Sequence, residues 1–120
     1  MPMSLPPALH DFIELFNQGQ YWQSHEVLEE AWRQNRSGFY QGLILYASAW
    51  VHLERGNRHG VEAQFKKAET ILRPYCPGYL GLDVAALLAN APSVGRPFRI
   101  VAEDHRVRGD EPELKQVEKR

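Results

Sequence analysis

One stretch of the chain, residues 39–55, constrains the fold more than any other, because as a helix it is apolar on nearly every side. A helix at a protein surface has one polar face, so a helix that lacks such a face has to be covered by other elements. Polar and glycine-containing breaks at 35–38 and 56–57 bound this stretch. The sequence therefore predicts a central helix that is surrounded by others.

Four further helical runs can provide that cover. Pro7 can open the first run, which Gly19 can end in the left-handed conformation. The second run covers 21–33, the fourth covers about 58–73, and Asp83 can cap a short fifth helix over 84–90. We predict an all-α fold, a compact bundle of about five helices over residues 1–95. An irregular C-terminal extension follows over 96–120, with an extended segment at 98–101 and a charged tail.

The charge balance and the cysteine count exclude several classes of function. With 14 basic and 15 acidic residues the net charge is -1, so no strong positive field is available for nucleic acid or an anionic membrane. The longest apolar stretch, 43–53, is far shorter than the ~20 residues that span a bilayer. Cys76 is the single cysteine, which suits a reducing compartment, and no signal peptide is visible. We expect a cytoplasmic monomer or homodimer that binds a small molecule or a protein.

The second helix carries an unusual set of polar residues. On a helical wheel that starts at Tyr21, Trp32 falls at about 20°, His25 at about 40° and Glu29 at about 80°. An imidazole and a carboxylate thus lie within an aromatic stripe, where we expect both groups to be buried. Burying them without partners would cost several kcal/mol. Both groups must therefore be paired or bound to a ligand.

The central helix has a polar seam that could supply the partner, formed by Gln41, Ser48 and His52. If His52 meets His25, the two imidazoles and the Glu29 carboxylate would suit a divalent metal such as zinc, iron or manganese. Trp32, Tyr21, Gln41 and Ser48 would support that site. The structural alternative is a closed hydrogen-bond network of the same side chains, which would fix the helix register and bind nothing.

These residues resemble the domain-of-unknown-function 309 family, whose signature His-x-x-x-Glu-x-x-Trp or Tyr is present here as His25, Glu29 and Trp32. Shorter similar segments extend the resemblance over about residues 9–84. One departure is Val61, where the family more often has alanine. The resemblance implies a compact helical bundle of bacterial and archaeal proteins, in which the His/Glu motif is suggested to bind metal.

Two functions remain open from the sequence. In the first, the His/Glu site binds a divalent metal or a small polar ligand. In the second, the chain is a non-catalytic helical protein-interaction module, in which the His/Glu/Trp cluster is purely structural. A weaker similarity to tetratricopeptide-type helical repeats fits the second function. Neither a metalloprotease motif nor a G-x-S-x-G elbow is present, and the sequence leaves open whether the chain is an enzyme.

Overall fold

The structure is a computed structural model, and it describes residues 5–102. Five α-helices dominate it, which confirms the predicted all-α bundle: α1 (Pro7–Asn17), α2 (Tyr21–Asn35), α3 (Gly38–Glu54), α4 (Arg58–Leu72) and α5 (Val84–Leu88). A 3-10 turn, Arg73–Tyr75, follows α4. Two strands of two residues each, β1 (Gly78–Tyr79) and β2 (Leu82–Asp83), pair in antiparallel orientation before α5.

Polar side chains define where three of the helices begin. Ser37 accepts a hydrogen bond from the Tyr40 amide at the start of α3, and Asn57 accepts one from the Gly60 amide at the start of α4. Asp83 caps α5 in the same way, as the sequence predicted. Each cap satisfies a backbone donor that has no partner within the helix, which fixes the register of the turn.

Helix α3 lies at the centre of the bundle, as its all-round apolar character predicted. Ten of its 17 residues are buried. An aromatic cluster joins it to the first two helices, because the Phe16 ring of α1 lies 4.9 Å from Tyr21 of α2 and within 6 Å of Tyr46 and Trp50 of α3. Ring contacts of this kind add to the free energy gained from burying the apolar area.

Helices α3 and α4 pack closely at both ends. A side-chain carbon added at Gly42 would lie 2.5 Å from Leu72, and one added at Gly60 would lie 2.6 Å from the His52 ring. The start of α3 thus meets the end of α4, and the end of α3 meets the start of α4. The two helices are therefore antiparallel. Glycine at positions 42 and 60 lets them approach closely, because it has no side-chain carbon.

The segment after α5 lies on the bundle without forming a helix. The Asn17 side chain donates to the Ile100 carbonyl and accepts from the Ile100 amide, both at 2.8 Å, and the Ile100 side chain is buried. Ala102 forms an isolated bridge with Leu82. From residue 103 onward, the predicted charged tail lies outside the described residues.

Within residues 5–102, none of the helices combines the length and the apolar character needed to cross a lipid bilayer.

Candidate functional site

The polar residues of interest lie on one flank of α2, beside its buried face. Tyr21, Ser24 and Leu28 form that buried face. The Tyr21 ring stacks on Trp50 of α3, with the ring centres 5.2 Å apart. The pKa of the Tyr21 hydroxyl is raised, mainly by burial and to a smaller extent by the charge of Glu54. Tyr21 therefore anchors the helix in the core, and the flank beside it is only partly covered.

His25 is half-buried rather than buried, and it packs against an aromatic ring. Its imidazole is nearly parallel to the Trp22 indole, with the ring centres 5.0 Å apart and the planes inclined by 12°. The Nδ1 atom is buried and has no hydrogen-bond partner among residues 5–102. Burial lowers the pKa of His25, while the charges of Glu29 and Glu26 oppose that shift. The fold therefore favours the neutral imidazole.

Glu29 is also less buried than the sequence predicted. Its side chain is 35% exposed, and its nearest cation is Arg33, whose Nη2 lies 3.7 Å from the carboxylate. Arg33 lies 3.3 Å from Glu30 as well, and both of these residues are exposed. An ion pair at such exposure contributes little to stability. Glu29 is thus a partly hydrated carboxylate one helical turn from His25.

Trp32 lies on the same flank, near the C-terminal end of α2. Its side chain is half-buried and packs against the core, while its buried indole Nε1 has no hydrogen-bond partner in the described part of the chain. The Arg36 guanidinium lies over the indole, 4.5 Å from the ring centre. Among residues 5–102, therefore, neither Trp32 Nε1 nor His25 Nδ1 takes part in the hydrogen-bond network that the structural alternative predicts.

His52 is held by α4 and not by α2. Its Nδ1 lies 3.2 Å from the Asn57 side-chain nitrogen, and the ring packs against Gly60. No hydrogen bond joins His52 to His25 within residues 5–102. Of the other two members of the predicted seam, Gln41 is exposed and Ser48 is half-buried.

The geometry bears directly on metal binding. Across residues 5–102, no group of three or more His, Cys, Asp or Glu side chains is arranged so that it could hold a metal ion. His25 and Glu29 are one turn apart and form a two-residue pair, whereas zinc sites in proteins usually take three or four protein ligands. The pair can accept and donate hydrogen bonds to a polar group at the surface.

Trp22 and Arg55 were not among the predicted site residues, yet they contact each other next to His25. Trp22 is 44% exposed, and the Arg55 guanidinium at the end of α3 lies 5.6 Å from the centre of its ring. Trp22 falls at about 100° on the wheel, at the margin of the aromatic stripe. That marginal position was the one signal in the sequence that this indole would be partly exposed.

No curated protein matches the chain. A family model described as "Domain of unknown function (DUF309)" matches residues 9–63, a segment that includes nearly all of α1, the whole of α2 and α3, and the start of α4. Over that segment, which is 55 of the 120 residues, the chain is similar to the DUF309 family.

Proposed function

We propose that this protein is a non-catalytic interaction module that binds a protein partner through one surface of α2 and the end of α3. The Trp22 surface consists of Trp22, His25, Glu26, Glu29 and Arg55. The partner presents an apolar side chain to the Trp22 indole and a basic side chain to Glu26.

The exposure of Trp22 is the observation that carries this proposal. In the described part of the chain only three large apolar side chains are exposed, and Trp22 is the one aromatic residue among them. Tryptophan and arginine are enriched among the residues that dominate the affinity of protein interfaces. An exposed indole that is stacked on His25 and covered by Arg55 combines those two residue types at one place.

The contacts of Trp22 also reduce the entropic cost of binding. The indole is held by the parallel His25 ring on its own helix and by the Arg55 guanidinium on the next helix. A side chain that is already ordered loses less conformational freedom when a partner covers it. The surface is therefore preorganised for contact.

The charges of this surface favour a basic group on the partner. Arg33 lies near both Glu29 and Glu30, whereas Glu26 is exposed and forms no ion pair with another residue in 5–102. A lysine or arginine of the partner beside Glu26 would complete a pair at the rim of the contact, where such pairs mainly affect the association rate and specificity.

A second candidate function is the binding of a divalent metal or a small polar ligand at His25 and Glu29. The position of the half-buried His25 imidazole, one turn from a partly exposed carboxylate, supports it. Zinc, iron or manganese would have to bind with fewer ligands than the predicted set of His25, Glu29 and His52 supplies. Elemental analysis of the untagged protein, repeated with His25→Ala and Glu29→Gln, tests this candidate. A stoichiometric metal that disappears in both variants would favour it over the protein-binding proposal.

The protein-binding proposal is tested with Trp22→Ala and a matched control, Gln23→Ala, an exposed residue of the same helix that lies outside the Trp22 surface. Proteins enriched on each immobilised form are quantified by mass spectrometry, and each candidate partner is then purified and titrated calorimetrically. We expect Trp22→Ala to raise the Kd of the true partner at least about tenfold, the usual loss at a dominant interface residue, and Gln23→Ala to leave it unchanged.

Two results would contradict the proposal. The first is that every enriched protein binds wild type and Trp22→Ala with equal affinity. The second is that sedimentation shows a homodimer whose dissociation depends on Trp22, in which case the surface joins two copies of this chain. Glu26→Lys sharpens the experiment, because the reversed charge should repel a basic group of the partner and weaken binding further.

A further inference from the structure

A groove of about 560 Å³ opens between the first half of α4 and the segment that follows α5. Its walls are mainly apolar, with Leu53 from α3, Val61 and Phe65 from α4, and Val94 from the facing segment. Binding sites for small molecules have volumes of about 300–1,000 Å³ and are lined mostly by apolar side chains with a few polar groups. This groove has the volume and the lining of such a site, and it shares no residue with the Trp22 surface.

The two walls of the groove are held in place by Tyr46 of α3. Its hydroxyl donates a 2.8 Å hydrogen bond to the Asn90 carbonyl, immediately before the segment 91–94 that forms one wall. Its ring lies 6.2 Å from that of Phe65, which belongs to the other wall. Tyr46 is fully buried, so both contacts originate from the core. Tyr46 thus connects both walls of the groove to the core of the bundle.

Val94 leaves an apolar surface available inside this groove. Val94 is 81% exposed, the highest value among the large apolar residues of the described part of the chain. Val61 and Phe65 on the opposite wall are covered far more completely. An apolar ligand lying between the walls would remove Val94 from water, and the free energy gained scales with the apolar area that is buried.

The charges at the mouth of the groove favour an anionic group on the ligand. Arg58 lies at the start of α4, is exposed, and forms no ion pair or hydrogen bond through its side chain with another residue in 5–102. Glu62, one turn further along, also lines the groove and is not paired with Arg58. A ligand with one negative charge can place it at Arg58, whereas a second negative charge along the groove would meet Glu62.

We propose that this groove binds a small amphipathic monoanion, an aromatic or alkyl body that carries a single carboxylate or sulfonate. The body lies against Val61, Phe65 and Val94, and the anionic group lies at Arg58. Arg58 recognises the charge, while Glu62 excludes ligands with a second negative charge further along the groove.

Two fluorescent probes with the same fused-ring body separate the role of charge from that of apolar contact. One is the anion 8-anilino-1-naphthalenesulfonate, and the other is the neutral N-phenyl-1-naphthylamine. The full chain is titrated with each probe, and we expect one binding site per chain. Arg58→Gln should raise the Kd of the anionic probe about fivefold and leave that of the neutral probe within about twofold. Glu62→Gln should lower the Kd of the anionic probe, and Val94→Ser should raise both values.

Lys67→Gln is the matched control, since Lys67 is exposed on the same helix and does not line the groove. Arg58, Glu62 and Val94 are all exposed, so these variants are expected to fold normally, which circular dichroism checks. Equal affinity of the anionic probe for wild type, Arg58→Gln and Val94→Ser would overturn the proposal, as would the absence of binding. Trp22→Ala should bind both probes normally, so failure here leaves the interaction proposal intact.

Discussion

Two histidines that the sequence assigned to one site lie in regions of opposite character. His52 packs beneath the first turn of α4, where Asn57 faces its ring nitrogen and Gly60 leaves no space for a further carbon atom. His25 packs against an indole, and its buried Nδ1 has no partner within residues 5–102. The same residue type is thus part of a closed helix junction in one region and of a partly open surface in the other.

This difference shows what decides the role of a polar residue near a helix interface. The neighbouring helix brings a polar side chain to His52, so that histidine is explained by packing and hydrogen bonding alone. The neighbours of His25 are an aromatic ring and two carboxylates on its own helix. An unpaired buried polar atom in a native fold calls for a reason, and the Nδ1 of His25 belongs to a ring that lies beside the exposed Trp22 indole.

The largest change in stability is expected at the contact between His52 of α3 and Gly60 of α4. Gly60→Ala places a carbon atom 2.6 Å from the His52 ring, and overpacking of this kind costs about 2 kcal/mol despite the better helix propensity of alanine. The double variant His52→Ala with Gly60→Ala should recover part of that loss, because the contact with the ring is gone while the 2.8 Å contact with the Asn57 side-chain nitrogen remains. Urea unfolding of the four proteins gives the coupling energy. Additive losses would mean that the ring and Gly60 are not in contact.

A smaller effect is expected from His52 alone. His52→Phe keeps an aromatic ring against Gly60 but removes the nitrogen that faces Asn57, and we expect the free energy of unfolding to fall by about 1 kcal/mol. Chemical denaturation at pH 7.5 measures the change. In the Asn57→Ala background the same substitution should cost much less. An unchanged stability in the wild-type background would remove the contrast between the two histidines.

The helices could be predicted from the sequence because their signals are local. Apolar periodicity marks each long helix, and Asp83, which was expected to cap α5, does so. Helix α5 ends at Leu88, two residues before the predicted end. The hairpin of β1 and β2 was not predicted, since two-residue strands are too short to show an alternating pattern.

The site was harder to predict because a helical wheel describes one helix at a time. It put His25, Glu29 and Trp32 within a buried stripe of α2, whereas the structure leaves all three half-buried, and it could not show which residue of α3 would face them. His52 lies on the side of α3 that faces α4, where its ring packs against Gly60. Arg55 instead reaches the Trp22 ring, and that contact depends on the relative position of two helix ends. Such information is present only in the assembled bundle.

For His25 on α2, the same substitution by phenylalanine is expected to increase the stability, whereas at His52 it decreases the stability. His25→Phe keeps a ring against Trp22 and removes the buried nitrogen that lacks a partner, so we expect the free energy of unfolding to rise by about 0.5 kcal/mol. His25→Gln, which retains polar atoms at this position, should not stabilise the protein. Denaturant midpoints at pH 7.5 compare the three proteins. A loss of stability equal to that of His52→Phe would show that both histidines are structural.

The smallest expected effect is a dependence on pH that arises from the same position. Burial lowers the pKa of His25 below its ordinary value of 6.5, so the unfolded chain takes up the proton at a higher pH than the folded protein does. The contribution to stability is therefore fully present above pH 6.5 and is lost as the pH falls below it. The free energy of unfolding, measured from pH 7.5 to 5, should fall less steeply in His25→Phe than in wild type. The other titrating groups are common to both proteins and do not contribute to this difference. Parallel curves would mean that Glu26 and Glu29 fully offset the burial of the imidazole, and His25 would then resemble an ordinary surface histidine.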